Sequence, residues 1–167
     1  AIATSLRMLR DHGRRDKHVH QVVAFNMRFN DLQAAAGRVF LRRLAANNDA
    51  RRRIAAKYDA ALAGLPLGRP RRRDGAYHVY HLYVVTTPHR DALAKHLTEC
   101  GVQTGVHYPL PTHRQPGTLA RLQVRREMLP RTDTLVDVIL SLPVFPSLTE
   151  AEQGHVIASV QSFFTAS

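Results

Sequence analysis

The segment GVHYPLPTHRQP, residues 105–116, concentrates side chains suited to contacting a ligand. His107 and Tyr108 end a short apolar stretch, and His113 with Arg114 lies in the proline-rich loop that follows. Loops after strands commonly line ligand pockets, and these residues supply hydrogen-bonding and cationic groups. The residues alone leave two interpretations open: a ligand site, or a structural segment in which Tyr108 packs and the histidines bond to backbone.

A second segment, AFNMRFNDLQAAAG at residues 24–37, places Asn26 and Arg28 just before a predicted helix start. Asn30 and Gln33 have the spacing of a capping box, in which each side chain bonds to the other residue's backbone N–H. Asn26 and Arg28 therefore either help to cap this helix or face a cleft and bind a ligand.

The sequence disfavours metal, thiol and phosphate-loop chemistry. His78 and His81 are three residues apart on a predicted strand, where side chains would point to opposite faces of the sheet. With one cysteine and no HExxH motif, no metal site is predicted. Cys100 falls on a predicted apolar helix face near Leu97, without an activating neighbour, and is predicted to pack as a small hydrophobe. Neither GxGxxG nor the P-loop pattern occurs.

Composition limits the class of protein further. A chain of 167 residues that is 44% hydrophobic is long enough for one compact domain with its own core. Its apolar runs are far shorter than the roughly 20 residues that span a bilayer, so no membrane span is predicted. The single cysteine and the absence of a signal-like start favour the cytoplasm.

The formal charge of +11 makes nucleic-acid binding an alternative. Arginine clusters at 14–15, 51–53 and 71–73 lie in different predicted elements. They lack the interleaved aromatic residues that single-strand binders use for stacking. Nucleic acid is therefore a less favoured partner than a small molecule or a protein.

Apolar spacing and capping residues predict a mainly helical chain. The last helix begins with the capping box of Thr149 and Glu152 and has a buried stripe of Val156, Val160, Phe163 and Phe164. Two further helices are predicted at 4–12 and 131–140, and residues 30–65 are predicted as one long or once-kinked helix. Another helix is predicted from Thr87-Pro88 to a left-handed cap at Gly101, with Leu93 and Leu97 in the core.

Strands are predicted at 77–87 and 102–108, where β-branched and aromatic residues are dense. Residues 66–74 are predicted as a surface connection, and the prolines of 109–118 predict an irregular loop. Helices around two or three strands predict an α/β or α+β fold, with a small sheet of two to four strands packed against helices.

Taken in order, six motifs resemble the C-terminal part of the DegT/DnrJ-type (StrS-like) nucleotide-sugar aminotransferases. These enzymes use pyridoxal phosphate to install an amino group on a keto sugar carried by a nucleoside diphosphate. The resemblance implies the C-terminal domain of a fold-type I aminotransferase, with a cross-subunit loop in 1–29, a linking helix at 30–65 and a small domain at 66–167. The motifs are LRDHGRR, FNMRFNDLQAAAG, RRRIAAKYDAAL, YHLYVV, RDALAKHLTECGVQTGVHYPLPTH and ILSLPVFPSLTEAE.

The resemblance also implies roles for individual residues. Asn26 would bind the cofactor phosphate of the other subunit in a homodimer, and Arg28 would support the loop of Asn26 or the subunit interface. His107, Tyr108 and His113 would lie near the sugar or the diphosphate of a nucleotide-sugar substrate, which receives its amino group from an amino acid.

No catalytic residue is predicted in this chain. Amino transfer needs a lysine that binds the cofactor covalently. The chain has three lysines, Lys17, Lys57 and Lys95, and by the resemblance none of them corresponds to that lysine of the family. The resemblance implies that this lysine lies in a preceding large domain, which would bind most of the pyridoxal phosphate, so the chain alone is predicted to be inactive. The alternatives are a non-catalytic partner of a complete aminotransferase and, less favoured, a nucleic-acid-binding domain.

Overall fold

The computed structural model describes residues 2–121 and 129–165. The chain divides into two compact units, Ala1–Leu44 and Ala45–Ser167, and the boundary falls within the longest helix. In the described residues the elements are α1 (Ile2–Arg10), α2 (Asp31–Ala61), β1 (Tyr83–Thr86), α3 (Arg90–Glu99), α4 (Pro116–Arg121), α5 (Pro130–Val138), β2 (Ile139–Leu142) and α6 (Glu150–Thr165). Every helix in these ranges is too short or too polar to span a bilayer.

The first unit is built from α1, a folded-back loop and the first half of α2. Backbone bridges join Asp11 to Asn26 and Arg14 to His20, so the loop returns alongside the end of α1. Many apolar side chains here are exposed. They include Ile2, Leu6, Val23, Phe25, Met27, Phe29, Leu32, Phe40 and Leu41.

The start of α2 confirms the predicted capping box. The Gln33 N–H donates to Asn30 Oδ1 at 2.8 Å, and the Asn30 N–H donates to Gln33 Oε1 at 3.3 Å. Two N–H groups at the helix start thereby gain partners, which fixes where the helix begins.

We expect Asn30→Ala to destabilise the start of α2 by about 1 kcal/mol, because the Gln33 N–H loses its acceptor. Amide hydrogen exchange at Gln33 measures this loss. Asn48→Ala, the same change inside α2, is the control and should be neutral or slightly stabilising because alanine favours a helix interior. Equal protection of Gln33 in the Asn30 variant and the unchanged chain would contradict the prediction.

The second unit contains a two-stranded antiparallel sheet. Tyr83 pairs with Leu142 and Thr86 with Ile139, so β1 lies beside β2. The sheet and its helices agree with the predicted small α+β layer. The core holds the C-terminal half of α2, the sheet, α3 and α6; its fully buried side chains include Tyr58, Leu62, Tyr83, Val85, Leu93, Leu97 and Val160.

The strand prediction at 102–108 was wrong. Residues 102–108 form no strand and contribute only an isolated bridge between Gly105 and Ser141. The second strand is instead Ile139–Leu142, which had been assigned in part to a helix over 131–140. Residues 135–142 are mostly apolar across the end of α5 and the whole of β2, and a short apolar run of this kind does not distinguish a buried strand from a helix.

The first strand is also shorter than the predicted 77–87, because the chain before Tyr83 is held by α2. Tyr80 has φ +47, which is incompatible with extended backbone. Arg51 donates to the carbonyl oxygens of His81 and Val144, at 3.2 and 2.6 Å. These contacts explain why residues 77–82 do not join the sheet.

The remaining helices follow their predicted signals closely. Gly101 has φ +76 after α3, as expected for a left-handed cap. At the start of α6 the Thr149 hydroxyl donates to Glu152 Oε2 at 2.7 Å, which confirms that capping box. Two predictions need correction. Phe163 and Phe164, predicted to be part of the buried stripe of α6, are only partly buried. The 109–118 segment, predicted to be irregular, contains a 3-10 turn at Thr112–Arg114 and the start of α4.

Candidate functional site

Asn26 lies in the folded-back loop of the first unit and does not cap α2, because Asn30 does so. The N–H groups of Phe25 and Met27 donate to the carbonyl oxygens of Leu9 and Arg10, at 3.1 and 2.8 Å. The loop backbone on both sides of Asn26 is therefore anchored to α1. The Asn26 side chain is exposed, so it is presented outward from a fixed base.

The Asn26 side chain belongs to a small charged network. Arg28 Nε donates to Asn26 Oδ1 at 3.2 Å and lies 3.4 Å from Asp11 Oδ1. Asp11 also accepts from Arg14 at 2.7 Å. This hydrogen bond from Arg14 holds the pKa of the Asp11 carboxyl below its usual value, and the charge of Arg28 acts in the same direction. With Oδ1 occupied, the exposed Asn26 NH₂ group is the donor left for a ligand.

His107 lies in the second unit, just after the bridge that joins Gly105 to β2. Its Nδ1 lies 2.9 Å from Ser141 Oγ, and its ring packs edge-on to Tyr108 at 5.5 Å between centroids. The Ser141 hydroxyl therefore fixes the orientation of the imidazole and leaves Nε2 available. Tyr108 is 71% exposed, so the interpretation in which it packs internally is wrong.

His113 is buried, and its Nε2 lies 2.8 Å from Asp133 Oδ1. Arg114 Nε lies 2.8 Å from the same oxygen. One carboxylate on α5 thus holds two consecutive residues of the proline-rich loop. Burial alone would raise the pKa of Asp133, but the hydrogen bonds from His113 and Arg114 outweigh it and lower that pKa.

We expect Asp133→Asn to lower the urea midpoint at pH 7. Because the pKa of Asp133 is lowered in the folded chain, its ionised form contributes stability that is fully present above the unfolded value of 3.8. That contribution is lost as the pH falls through the lowered folded pKa, so the difference between variant and unchanged chain should shrink below pH 3.8. Asp137→Asn, an exposed position on the same helix, is the control and should leave the urea midpoint at pH 7 nearly unchanged. A difference for Asp133→Asn that is constant with pH would contradict this account.

A cavity of about 930 Å³ opens beside His107 in the second unit. It is bounded by the end of the segment before β1, residues 101–107, the chain after β2 and the start of α6. His107 lines it, whereas Tyr108 and His113 do not. The structure therefore places the three residues of the 105–116 segment in different environments: one in a cavity wall, one in the open and one buried.

Two residues that position this segment have no clear sequence signal. Ser141 lies within an apolar strand, and Asp133 lies on a short helix 20 residues beyond His113. Ser141 falls within the ILSLPVFPSLTEAE motif, but no role was predicted for it, and Asp133 lies outside all six motifs. Only the fold brings them to His107 and His113.

The structure changes the arguments made from the sequence against a metal site and against a reactive cysteine. His78 and His81 precede β1, so the argument from opposite strand faces was wrong. Among residues 2–121 and 129–165, no three His, Cys, Asp or Glu side chains gather as they would around a metal ion. Cys100 does have an imidazole neighbour, since its Sγ lies 3.7 Å from His96 Nε2.

Comparison with known proteins gives a consistent result across nearly the whole chain. A model of the DegT/DnrJ/EryC1/StrS aminotransferase family matches residues 1–161. A "Pleiotropic regulatory protein" of Geobacillus stearothermophilus is 37% identical over 98% of this chain and 44% of its own length. A dTDP-3-amino-3,4,6-trideoxy-alpha-D-glucose transaminase of Streptomyces venezuelae is 37% identical over 97% of this chain and 43% of its own length.

Solved structures give the same match. The crystal structure of S. venezuelae DesV in complex with a ketimine intermediate superposes with a TM-score of 0.91 at 37% identity. The superposition covers 97% of this chain and 44% of the DesV chain. The chain thus spans less than half the length of the curated relatives and structures that it matches, and the match lies in their C-terminal part.

Proposed function

Because the chain belongs to the DegT/DnrJ/EryC1/StrS aminotransferase family, we propose that it is the C-terminal portion of an aminotransferase that acts on a nucleotide-linked keto sugar. One observation carries the proposal: a family match over residues 1–161 that accounts for only about 44% of each relative. The Streptomyces venezuelae relative, by its name, acts on a dTDP-linked sugar, which supports this substrate class. The amino donor in this proposal is an amino acid.

The residues present fit the phosphate end of pyridoxal phosphate. An exposed amide NH₂ on Asn26 and the guanidinium of Arg28 are suitable donors to a phosphate oxygen. When bound, the cofactor supplies the electron sink for amino transfer. In this proposal Asn26 binds the phosphate belonging to a second subunit of a homodimer, and Arg28 fixes the orientation of the Asn26 amide.

The covalent end of the cofactor has no fitting residue in the described chain. Lys17, Lys57 and Lys95 all have exposed side chains, and Lys95 lies 3.9 Å from Glu99. In the proposed division, residues 1–29 connect to a large domain that supplies the lysine, 30–65 form a linking helix and 66–167 form the small domain. The chain by itself is proposed to be inactive.

On the substrate side, we propose that His107 and Tyr108 contact the substrate. Tyr108 offers an exposed phenol, and His107 offers an oriented Nε2. His113 was predicted to contact substrate as well, but its ring is buried against Asp133. This burial favours a positioning role, in which His113 anchors the loop that carries the other two residues.

A chimera tests the proposed function. The chain would be joined to the N-terminal portion of the Streptomyces venezuelae relative that precedes the matched region, and amino transfer from glutamate to a dTDP-linked keto sugar would be followed by mass spectrometry. The chimera should transfer the amino group, whereas the 167-residue chain alone should not. A folded, dimeric chimera without activity would overturn the proposal, as would activity of the chain alone.

Asn26→Ala in the same chimera tests the cofactor assignment with a second readout. The variant should retain less pyridoxal phosphate after dialysis, because the phosphate loses a donor. Asn48→Ala, inside α2, is the matched control. Equal cofactor retention in both variants would remove Asn26 from the phosphate site.

The second candidate is a non-catalytic protein that pairs with a complete aminotransferase. The exposed apolar side chains of the first unit favour it, since exposed patches of this kind commonly mark protein contacts. Co-purification with a full-length relative, and a heterodimer in place of the homodimer, would support this candidate. The third alternative, nucleic-acid binding, loses part of its basis because Arg51 and Arg52 donate to backbone carbonyl oxygens within the chain.

A further inference from the structure

In the second unit, the chain that joins α2 to β1 runs back along α2. Near its start, Arg69 donates to the backbone carbonyl oxygen of Asp59. Near its end, the Tyr77 hydroxyl donates to Asp49 Oδ1 at 3.1 Å. The contacts thus move from residue 59 to residue 49 of the helix while the returning chain advances from 69 to 77. As a result, two of the three arginine clusters, which the sequence leaves in separate elements, share one surface.

Five cationic side chains of this surface are exposed and make no hydrogen bond or ion pair with any other described residue. They are Arg53 and Lys57 on α2 and Arg71, Arg72 and Arg73 on the returning chain. Arg53 and Lys57 are four residues apart, so they occupy one face of the helix, beside the face that the returning chain covers. Arg51 and Arg52, by contrast, are bound to backbone carbonyl oxygens. The five free cations remain available to a partner.

The chemistry of these cations favours phosphate groups. Four of the five are arginines, and a planar guanidinium can donate two parallel N–H bonds to one phosphate. Carboxylates are fewer in this region: Asp49 and Asp59 accept bonds from tyrosine hydroxyls, and Asp74 is exposed. Several cations along one surface match a polymer that carries a row of phosphates, because each contact releases a counterion from the polymer.

Tyr77 adds an aromatic ring to the same surface. The guanidinium carbon of Arg52 lies 4.2 Å from the ring centroid, and the hydroxyl is bound to Asp49, so the ring has a fixed orientation. Tyr77 is 60% exposed, which leaves the face opposite Arg52 open. An unpaired base can stack on such a ring. The fold therefore supplies an aromatic platform that the spacing of the arginine clusters in the sequence does not show.

We propose that this surface binds single-stranded nucleic acid, with the cations on phosphates and a base stacked on Tyr77. The residues that form it are Arg53, Lys57, Arg71, Arg72, Arg73 and Tyr77. Phosphates and base faces are common to all nucleotides, so binding is independent of sequence. This function is additional to amino transfer and belongs to the second unit alone. Its failure would leave the proposed function unchanged.

Fluorescence anisotropy with the 167-residue chain tests the proposal. The probes are labelled oligouridine and oligothymidine of about 12 nucleotides, a length within the range that one single-strand-binding domain covers. Both should bind in 50 mM sodium chloride. If about four phosphates are contacted, the logarithm of the association constant should fall with the logarithm of salt concentration with a slope of about −3, or about 60-fold between 50 and 200 mM.

Two other polyanions separate this partner from its competitors. A DNA duplex of the same length offers no unpaired base to Tyr77, and polyglutamate represents an acidic protein segment. Both should bind more weakly than the single strands at the same salt concentration. Tighter binding of either one, or no binding of the single strands in 50 mM salt, would overturn the proposal.

Variants separate the charge contribution from the stacking contribution. Arg72→Gln should weaken binding and make the salt slope shallower by about 0.7, because one phosphate contact is lost. Arg131→Gln, the same change at an exposed position on α5, is the matched control and should have a smaller effect. Tyr77→Leu should weaken binding at least about fivefold with an unchanged slope, whereas Tyr77→Phe keeps the ring and most of the affinity.

Arg72 has an exposed side chain without a partner in the described chain, so its variant keeps the fold even if Tyr77→Leu disturbs the returning chain. An unchanged salt slope in Arg72→Gln, or an equal loss of affinity in Arg131→Gln, would mean that binding is not confined to this surface and would overturn the proposal. Full affinity in a folded Tyr77→Leu variant would do so as well.

Discussion

Purified chain mixed with pyridoxal phosphate is expected to form no stoichiometric adduct on a lysine. A lysine becomes a nucleophile toward the cofactor when burial or a neighbouring cation frees its amine. Lys17, Lys57 and Lys95 are exposed, and an exposed ammonium group is strongly hydrated and charged. The measurement is the mass of the chain after borohydride reduction and dialysis, together with its absorbance spectrum.

Replacement of each lysine by arginine gives the control for this experiment. Weak labelling should be spread over the α-amino group and the three exposed lysines, so it should fall only in part in each of Lys17→Arg, Lys57→Arg and Lys95→Arg. A single adduct abolished by one replacement would mean that this chain forms a cofactor site by itself. That result would contradict the proposal that this chain, as the C-terminal portion of an aminotransferase, is inactive by itself.

The features that the sequence predicted well depend on neighbouring residues. Both capping boxes, Asn30 with Gln33 and Thr149 with Glu152, span three residues and form as predicted. Gly101 has a left-handed conformation because the end of α3 requires it locally. Signals of this kind do not need the rest of the fold.

The features that the sequence did not predict depend on residues far apart in the chain. Tyr80 leaves the extended conformation where Arg51, about 30 residues earlier, binds the carbonyl oxygen of His81. The partner of β1 lies more than 50 residues away, and the sequence gives no register between the two strands. A helix and a strand meet at Val138 and Ile139 without a break in the apolar pattern, so the boundary was not visible.

In the candidate site, too, the environment of each residue depends on contacts between distant parts of the chain. Asn26, His107, Tyr108 and His113 were chosen by residue type and by family resemblance. Their local environments came only from the fold, because the isolated backbone bridge between Gly105 and Ser141 brings Ser141 to His107 across 34 residues. Hence burial of His113 and exposure of Tyr108 could not be distinguished beforehand.

Gly13→Ala is expected to disrupt the loop that carries Asn26 by at least about 2 kcal/mol. Gly13 has φ +71, which costs a residue with a side chain about 1–2 kcal/mol. An added Cβ would also lie 1.8 Å from the carbonyl oxygen of Val22, a backbone atom that cannot move aside like a flexible side chain. Amide exchange at Gln21, whose N–H donates to the Gly13 carbonyl oxygen at 2.9 Å, and trypsin cleavage after Arg15 measure the opening.

Two other glycines separate the causes of that loss. Gly64→Ala has a similar φ of +83 but open space around the new Cβ, so it reports strain without a clash. Gly37→Ala lies inside α2 with open space and should stabilise the helix by about 1 kcal/mol. If Gly13→Ala costs no more than Gly64→Ala, the close approach to Val22 does not hold the loop. If it costs clearly more, the position of Asn26 depends on a contact that only glycine permits.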